Sequence, residues 1–263
     1  MKKKYHYELG GTVWRVVPDV FSGLLAVELR YENHEKIHLL ALNTFSGDIL
    51  SEDIPLPDAN ISEKEWGIEA AHKGVLYLFR YANVENMPYH QGVWAIDMAD
   101  GAVLWQKPHL SLKGITHKQT LVLADNSQPD NLVEIPCATS KFSTHEKLEW
   151  LMPTHYGFGA AYTQMLQQFV QQKTAHTPLD VFDYMEYREF IFVSYYIRVS
   201  NGNATTLDNY FVALDADGHV LLHLRIAHSL TGAGLDTFFV FNQQLFLIID
   251  KTELLSYELT QLF

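Results

Sequence analysis

Five segments spread along the chain open in the same way, with a two-residue turn followed at once by an apolar run. The turns Ser22-Gly23, Lys73-Gly74, Lys118-Gln119, Arg188-Glu189 and Gln243-Gln244 lead into runs beginning at Leu24, Val75, Thr120, Phe190 and Leu245, spaced by 51, 45, 70 and 55 residues. A second mark recurs independently: Ala41-Leu42-Asn43 with Gly47, Ala95-Ile96-Asp97 with Gly101, and Ala213-Leu214-Asp215 with Gly218. Each reads as a strand ending in Asn or Asp, whose side chain can accept from the turn backbone, and a glycine able to take the positive φ such a turn needs. With Glu146 standing for the glycine in a degenerate copy, these marks are spaced by 54, 45 and 72 residues. The two rulers fall on different strands and keep step to within three residues. A period of roughly 50 residues belongs to arrays in which each unit buries its faces against the next.

The runs Leu24–Leu29, Val75–Tyr81, Phe190–Ile197, Tyr210–Leu214 and Leu245–Ile249 are continuous rather than alternating, which reads as strands covered on both faces. Parallel sheets need a helix after nearly every strand, and helical patterns are almost absent. Packed antiparallel sheets remain. The last unit, from about Gly234, has strands near Phe238–Phe241, Leu245–Asp250 and Leu254–Leu259 and lacks an outer one. Thr12–Val16, after the turn Gly10-Gly11, is an orphan outer strand predicted to complete it and remove a free edge. The expected fold is one all-β domain over 1–263: a five-bladed β-propeller of four-stranded antiparallel blades, closed by pairing of an N-terminal strand with the C-terminal blade.

A tryptophan follows four residues after each of Gly10, Gly101 and Glu146, as Trp14, Trp105 and Trp150. The residues Ala95-Ile96-Asp97…Gly101…Leu104-Trp105 resemble the repeat of quinoprotein-like β-propellers of the WD40/PQQ type, a superfamily that includes uncharacterised bacterial families. The likeness is fullest in blade two, partial in blades one and four, and faint in blade three. It implies the fold; larger members of that superfamily bind pyrroloquinoline quinone, and many relatives bind only proteins. This sequence has no adjacent cysteine pair, so no cofactor is expected.

The wide spacing between blades three and four leaves room for an insertion. Ala160–Lys173 fills it with a helical stripe of Tyr162, Met165, Leu166, Phe169 and Val170, glutamines lying mainly elsewhere. A shorter helical turn is suggested by Ser62-x-x-Glu65, a capping-box pattern before Trp66.

Composition excludes several classes. At 48% hydrophobic and 19% charged residues the chain is a packed protein rather than a disordered one. The net charge of −12 argues against duplex nucleic acid and anionic membranes as partners. A single cysteine, Cys137, leaves no intramolecular disulfide and no multi-thiolate zinc site. No apolar run approaches the roughly 20 residues that cross a bilayer. Met1-Lys2-Lys3-Lys4 begins like a signal peptide, yet Tyr5–Gly10 supplies no apolar stretch, and the cytoplasm is the expected location.

Candidates for chemistry are dispersed. Histidines are 13 in number, but His219 and His223 lie roughly 13 Å apart on a strand and cannot chelate together. His34 and His38 flank a hairpin tip, and His72 and His117 occupy equivalent turns, so no metal site is expected. Carboxylates around a propeller channel could cleave a glycosidic bond; Glu69, Asp180, Asp183 and Glu186 are the candidates, but a solvated, partly paired edge beside Tyr184, Tyr187 and Arg188 is the better reading of them. Cys137 lies in a loop after Pro136 with no base assigned to it. Two stretches read as functional loops. Asn83–Gln91, long for a hairpin, offers Met87, Tyr89 and His90. Thr154–Gly159 offers His155, Tyr156 and Phe158, although Tyr156 and Phe158 could instead pack the inserted helix. The expectation is a non-catalytic binding or scaffold protein that captures a protein, peptide or small polar ligand on the face bearing residues 154–173. A glycan hydrolase using the four carboxylates is the alternative, and a metal held by histidines from different blades a third.

Overall fold

The computed structural model describes residues 1–84, 87–142, 145–201 and 204–259, without the side chains at 32, 83, 84, 87, 88, 201 and 204. The described residues are all-β apart from one α-helix and short 3-10 turns, and the chain divides into two compact units, Gly11–Leu148 and Met1–Gly10 with Glu149–Phe263. Among the described residues no helix is long and apolar enough to cross a membrane.

β1 (Lys2–Glu8) belongs with the C-terminal unit. The other unit begins with a four-stranded sheet of β2 (Thr12–Asp19), β3 (Leu24–Tyr31), β4 (Lys36–Asn43) and β5 (Ile49–Ser51). A second sheet follows with β6 (Trp66–His72), β7 (Val75–Val84), β8 (Met87–Asp97) and β9 (Val103–Lys107), and a third with β10 (Leu110–Ile115), β11 (Thr120–Asp125) and β12 (Leu132–Pro136). Every pairing in them is antiparallel. One face of the second sheet packs Leu76, Leu78 and Trp94 against Leu24, Leu39 and Ala41 of the first, and the other packs Val75 and Tyr77 against Leu121 and Leu123 of the third. Burial on both faces is why Val75–Phe79 is continuously apolar.

Polar staples join these sheets. Asp19, fully buried, accepts from the amides of Phe21, Ser22, Lys73 and Gly74 and from the Ser22 hydroxyl, so one carboxylate holds both the Ser22-Gly23 and Lys73-Gly74 turns. Arg30 is paired with Glu28 at 2.5 Å and donates to the Trp66 carbonyl, while Glu28 accepts from the Ile68 amide at 2.9 Å.

In the other unit, β13 (Trp150–Leu151), β14 (Thr154–Tyr156), the helix α1 (Thr163–Thr174), β15 (Phe182–Tyr187), β16 (Phe190–Asn201), β17 (Ala204–Asp215) and β18 (Val220–Leu230) precede β19 (Phe238–Phe241), β20 (Gln244–Ile249) and β21 (Glu253–Glu258). The fourth sheet has the order β14-β15-β16-β17-β18 and the fifth β1-β21-β20-β19-β13. The fourth again buries two faces: Met185, Phe192 and Phe211 meet Phe238, Val240 and Leu247 of the fifth, while Phe182, Val193 and Val212 receive Leu166 and Val170 of α1.

The turn marks are where the repeat predicts them. β3, β7, β11 and β16 begin at Leu24, Val75, Thr120 and Phe190, and β20 one residue early at Gln244. Gly23, Lys73, Gly74, Gln119, Arg188, Asn242 and Gln243 take the left-handed backbone of tight hairpins. The Gly47 amide donates to the Asn43 carbonyl, Gly101 to Asp97 and Gly218 to Asp215, at 2.8, 2.8 and 3.0 Å.

Five expectations need correction. The Trp14 strand does not join the tail: β2 pairs with β3, and a register shift at Trp14 turns that side chain outward. The strand that joins the tail is β1, along β21 from Lys2↔Glu258 to Glu8↔Glu253. Its half-exposed side chains gave it no apolar signature. Trp150 does not complete the third sheet, whose described strands number three; it pairs with Phe241 at the edge of the fifth, where its indole meets the Phe239 ring at 4.8 Å. Within Asn83–Gln91, β7 runs to Val84 and β8 begins at Met87, so Tyr89 and His90 lie in a strand rather than a loop, while Glu85 and Asn86 fall outside the described residues. The Met87 side chain lies outside the described residues. Finally, α1 spans Thr163–Thr174 rather than Ala160–Lys173, and Ser62 precedes a 3-10 turn without a side-chain cap.

Candidate functional site

In β14 and β15 the pairing sets His155 directly opposite Asp183, and Asp183 opposite Ser194 of β16. Side chains of directly paired residues stand on one face of a sheet. His155 Nδ1 lies 2.8 Å from Asp183 Oδ1, with Asp183 buried and His155 at the surface. Thr237 Oγ1 lies 3.4 Å from the other Asp183 oxygen and 2.9 Å from Ser194 Oγ, and Asn209 Nδ2 donates at 2.9 Å to both Ser194 Oγ and the Tyr195 carbonyl. Thr237 has one hydroxyl proton and stands as donor within reach of both Ser194 Oγ and Asp183, so it can donate to only one of them at a time. The buried Asn209 carbonyl oxygen has no partner among the described residues.

Burial raises the Asp183 carboxyl above the usual carboxylate range and the neighbouring Asp236 adds to it, while His155 and Thr237 act against them. An ionised Asp183 requires the proton on Nδ1 of His155 and leaves Nε2 as the outward nitrogen. A methyl at Gly157 would stand only 3.8 Å from that nitrogen. Chemically the pair is a positioned imidazole able to accept a hydrogen bond or a proton.

Tyr156 points to the opposite face of β14. Its ring meets Tyr162 at 6.1 Å and Tyr184 at 6.5 Å, and it packs with Leu166, Val170 and Phe182 beneath α1. The three candidates of this stretch are therefore divided: His155 serves the aspartate, Tyr156 seats the helix, and Phe158 stands 69% exposed. The buried stripe of α1 is Thr163, Leu166 and Val170. Tyr162 and Met165, expected within that stripe, are instead 58% and 60% exposed.

A second histidine–acid pair lies in the other unit. His90 Nδ1 sits 2.6 Å from Glu69 Oε2, and its ring stacks on Phe79 with centroids 3.6 Å apart. Glu69 occupies a register shift of β6, a bulge that re-aims a side chain. Gly67 makes the stack possible, since a Cβ there would fall 2.6 Å from the Phe79 ring. Tyr89, one residue away on the same strand, is half-buried.

Each of the four candidate carboxylates thus has its own partner. Glu69 pairs with His90, Asp183 with His155, Glu186 accepts from the Tyr184 hydroxyl, and Asp180 accepts from the Gly159 amide. Asp183 and Glu186 are three residues apart on one strand and face opposite sides. His219 is bound through backbone and side chain to Asp215, a turn role. Asp215, Asp217 and His219 are the one set of three ligand-type residues within 4.8 Å found among the described residues, on a solvated turn.

The sequence did not point to Ser194, Asn209 or Thr237. The available signal was polarity out of place: Ser194 interrupts Phe190–Ile197, and Asn209 and Thr237 each stand directly before an aromatic run.

A family described as a domain of unknown function (DUF4905) matches residues 19–105, from the end of β2 into β9. No curated protein matches the chain. Among solved structures, one from a study of two prolyl endopeptidases and the role of their inter-domain dynamics is 10% identical to this chain, with a TM-score of 0.35 over 90% of it. The chain spans 39% of that protein's length. Similarity at this level carries no argument about activity.

Proposed function

We propose that this chain is a non-catalytic binding protein, a single five-bladed propeller domain in which the five sheets are the blades, and that it captures a protein or peptide segment on the outward side of α1 and the loop before it. The exposure of Phe158, Tyr162 and Met165 carries this reading. Three large apolar side chains stand in solvent within eight residues, while Leu166 and Val170 of the same helix are buried. Grouped exposed apolar side chains mark interaction surfaces where scattered ones do not, and aromatic residues are the usual anchors of such contacts. The net charge of −12 favours a protein partner over nucleic acid or an anionic membrane. A cytoplasmic setting is part of the same proposal and rests on Tyr5–Gly10 offering no apolar stretch after the basic Met1–Lys4.

The test uses point substitutions, because removing α1 would uncover Phe182, Val193 and Val212. A displayed random peptide library is panned on the wild-type protein and on the triple variant Phe158→Ser, Tyr162→Ser, Met165→Ser, with folding checked by circular dichroism. The expected result is sequence-specific enrichment on the wild type that the variant loses. Equal enrichment of the same peptides on both proteins would place capture elsewhere.

A further inference from the structure

The C-terminal end of α1 is held by an arrangement that the capture surface does not itself require. Ala175 caps the helix in left-handed geometry, and His176, the next residue, folds back so that its amide donates to Thr174 Oγ1 and its Nδ1 lies 2.9 Å from the Tyr195 hydroxyl. On the other side of that hydroxyl stands His223 Nε2, at 2.8 Å. Tyr195 is fully buried in the middle of β16, and the two imidazole centroids are 5.1 Å apart. The His176 ring also meets the Tyr210 ring edge-on at 4.5 Å.

A phenol carries one proton. It can donate to one imidazole only and must accept an N–H from the other, so the arrangement is satisfied when both histidines are neutral and each holds one definite tautomer. Protonating the imidazole that accepts from Tyr195 turns both nitrogens into donors toward one oxygen and forces the hydroxyl proton elsewhere. Charging both rings sets two cations against each other across a buried oxygen. The groups facing this point are Thr174 from the end of α1, Tyr195 from β16, Tyr210 from β17 and His223 from β18; none is a carboxylate that could neutralise the pair. Burial, and then His176, both push His223 toward the neutral form. His176 belongs to the short connection between α1 and β15, and its departure with the last helical turn relieves the conflict.

We propose that His176, Tyr195 and His223 form an acid-sensitive clasp on α1, closed when both imidazoles are neutral and opened when both are charged, so that the surface of Tyr162 and Met165 is presented at neutral pH and withdrawn on acidification. The second half rests on the capture reading; the clasp itself does not.

Hydrogen exchange of the full chain, followed by mass spectrometry at pH 7.5 and 5.5 and corrected for the intrinsic pH dependence of exchange, tests the clasp. Peptides covering 163–177 should lose about a hundredfold in protection at the lower pH, the change produced by two extra protons on the open form over one pH unit below the ordinary histidine value. Peptides from the middle of β16 and β17 should not change. His223→Gln, which keeps a hydrogen-bonding side chain but cannot charge, should stay protected at both pH values, and His176→Gln serves as the second variant should the first fail to fold. Wild-type protection that does not depend on pH, or variants that keep the wild-type dependence, would overturn the clasp. Binding of a peptide enriched in the panning experiment is then measured at both pH values. Opening of the clasp without loss of binding would leave the clasp standing and remove α1 as the capture surface.

Discussion

Two buried aspartates show how the same group can serve opposite ends. Asp19 is surrounded by donors, and replacing it with alanine would leave the Lys73 and Gly74 amides without an acceptor. Asp19→Ala should therefore lower stability by roughly 3 kcal/mol in urea titrations, the range for orphaned buried donors. Asp183 differs, since burial lifts its pKa and the fold holds the protonated form better than the unfolded chain does. For an acid shifted upward the sign is unfavourable: stability falls as pH rises above the ordinary Asp value of 3.8 and is at its lowest once the folded group has ionised. Asp183→Asn keeps an acceptor for His155 and removes that cost. It is expected to raise Tm at pH 7 by roughly 2 °C and to leave Tm unchanged below pH 3.8, where aspartate is protonated in both states. A lower Tm at pH 7 would mean that the ion pair with His155 outweighs the burial.

At the scale of elements, what could be read in advance was what local chemistry determines. Lys73-Gly74 and Asn43…Gly47 encode their turns within a few residues, so strand starts and hairpins followed from the sequence. The ends of the array did not. β1 has no continuous apolar run and pairs with a strand some 250 residues away, Tyr5 against Ser256, and Trp150 holds to the fifth sheet through a two-residue strand. The pairing of His155 with Asp183, 28 residues apart, depends on a register that no local pattern declares. The glycines allow a sharper test. Gly101 has φ +72° and a Cβ there would lie 2.4 Å from Pro55 Cδ, so Gly101→Ala should cost roughly 2 kcal/mol of strain and displacement. Gly157 has an ordinary backbone and a Cβ there would make only a normal contact with His155 Nε2 at 3.8 Å, so Gly157→Ala should leave the urea midpoint unchanged.

Across the whole molecule, each unit contains a histidine that burial holds toward the neutral form, His72 in one and His223 in the other. For a base whose folded pKa is depressed, the unfolded chain binds the proton more readily, so the contribution to stability is complete above the ordinary value of 6.5 and declines as pH falls below it. The urea midpoint should drop between pH 7.5 and 5.5, and His72→Gln together with His223→Gln should flatten that slope. The C-terminal unit takes one strand from the opposite end of the chain, since β1 lies along β21. A ribosome therefore releases Lys2–Glu8 well before its hydrogen-bonding partner, with the whole of residues 11–148 emerging in between. The earlier unit can condense while β1 waits as an unpaired ribbon, and until Glu253–Glu258 appears that ribbon is open to any other exposed edge in the cell.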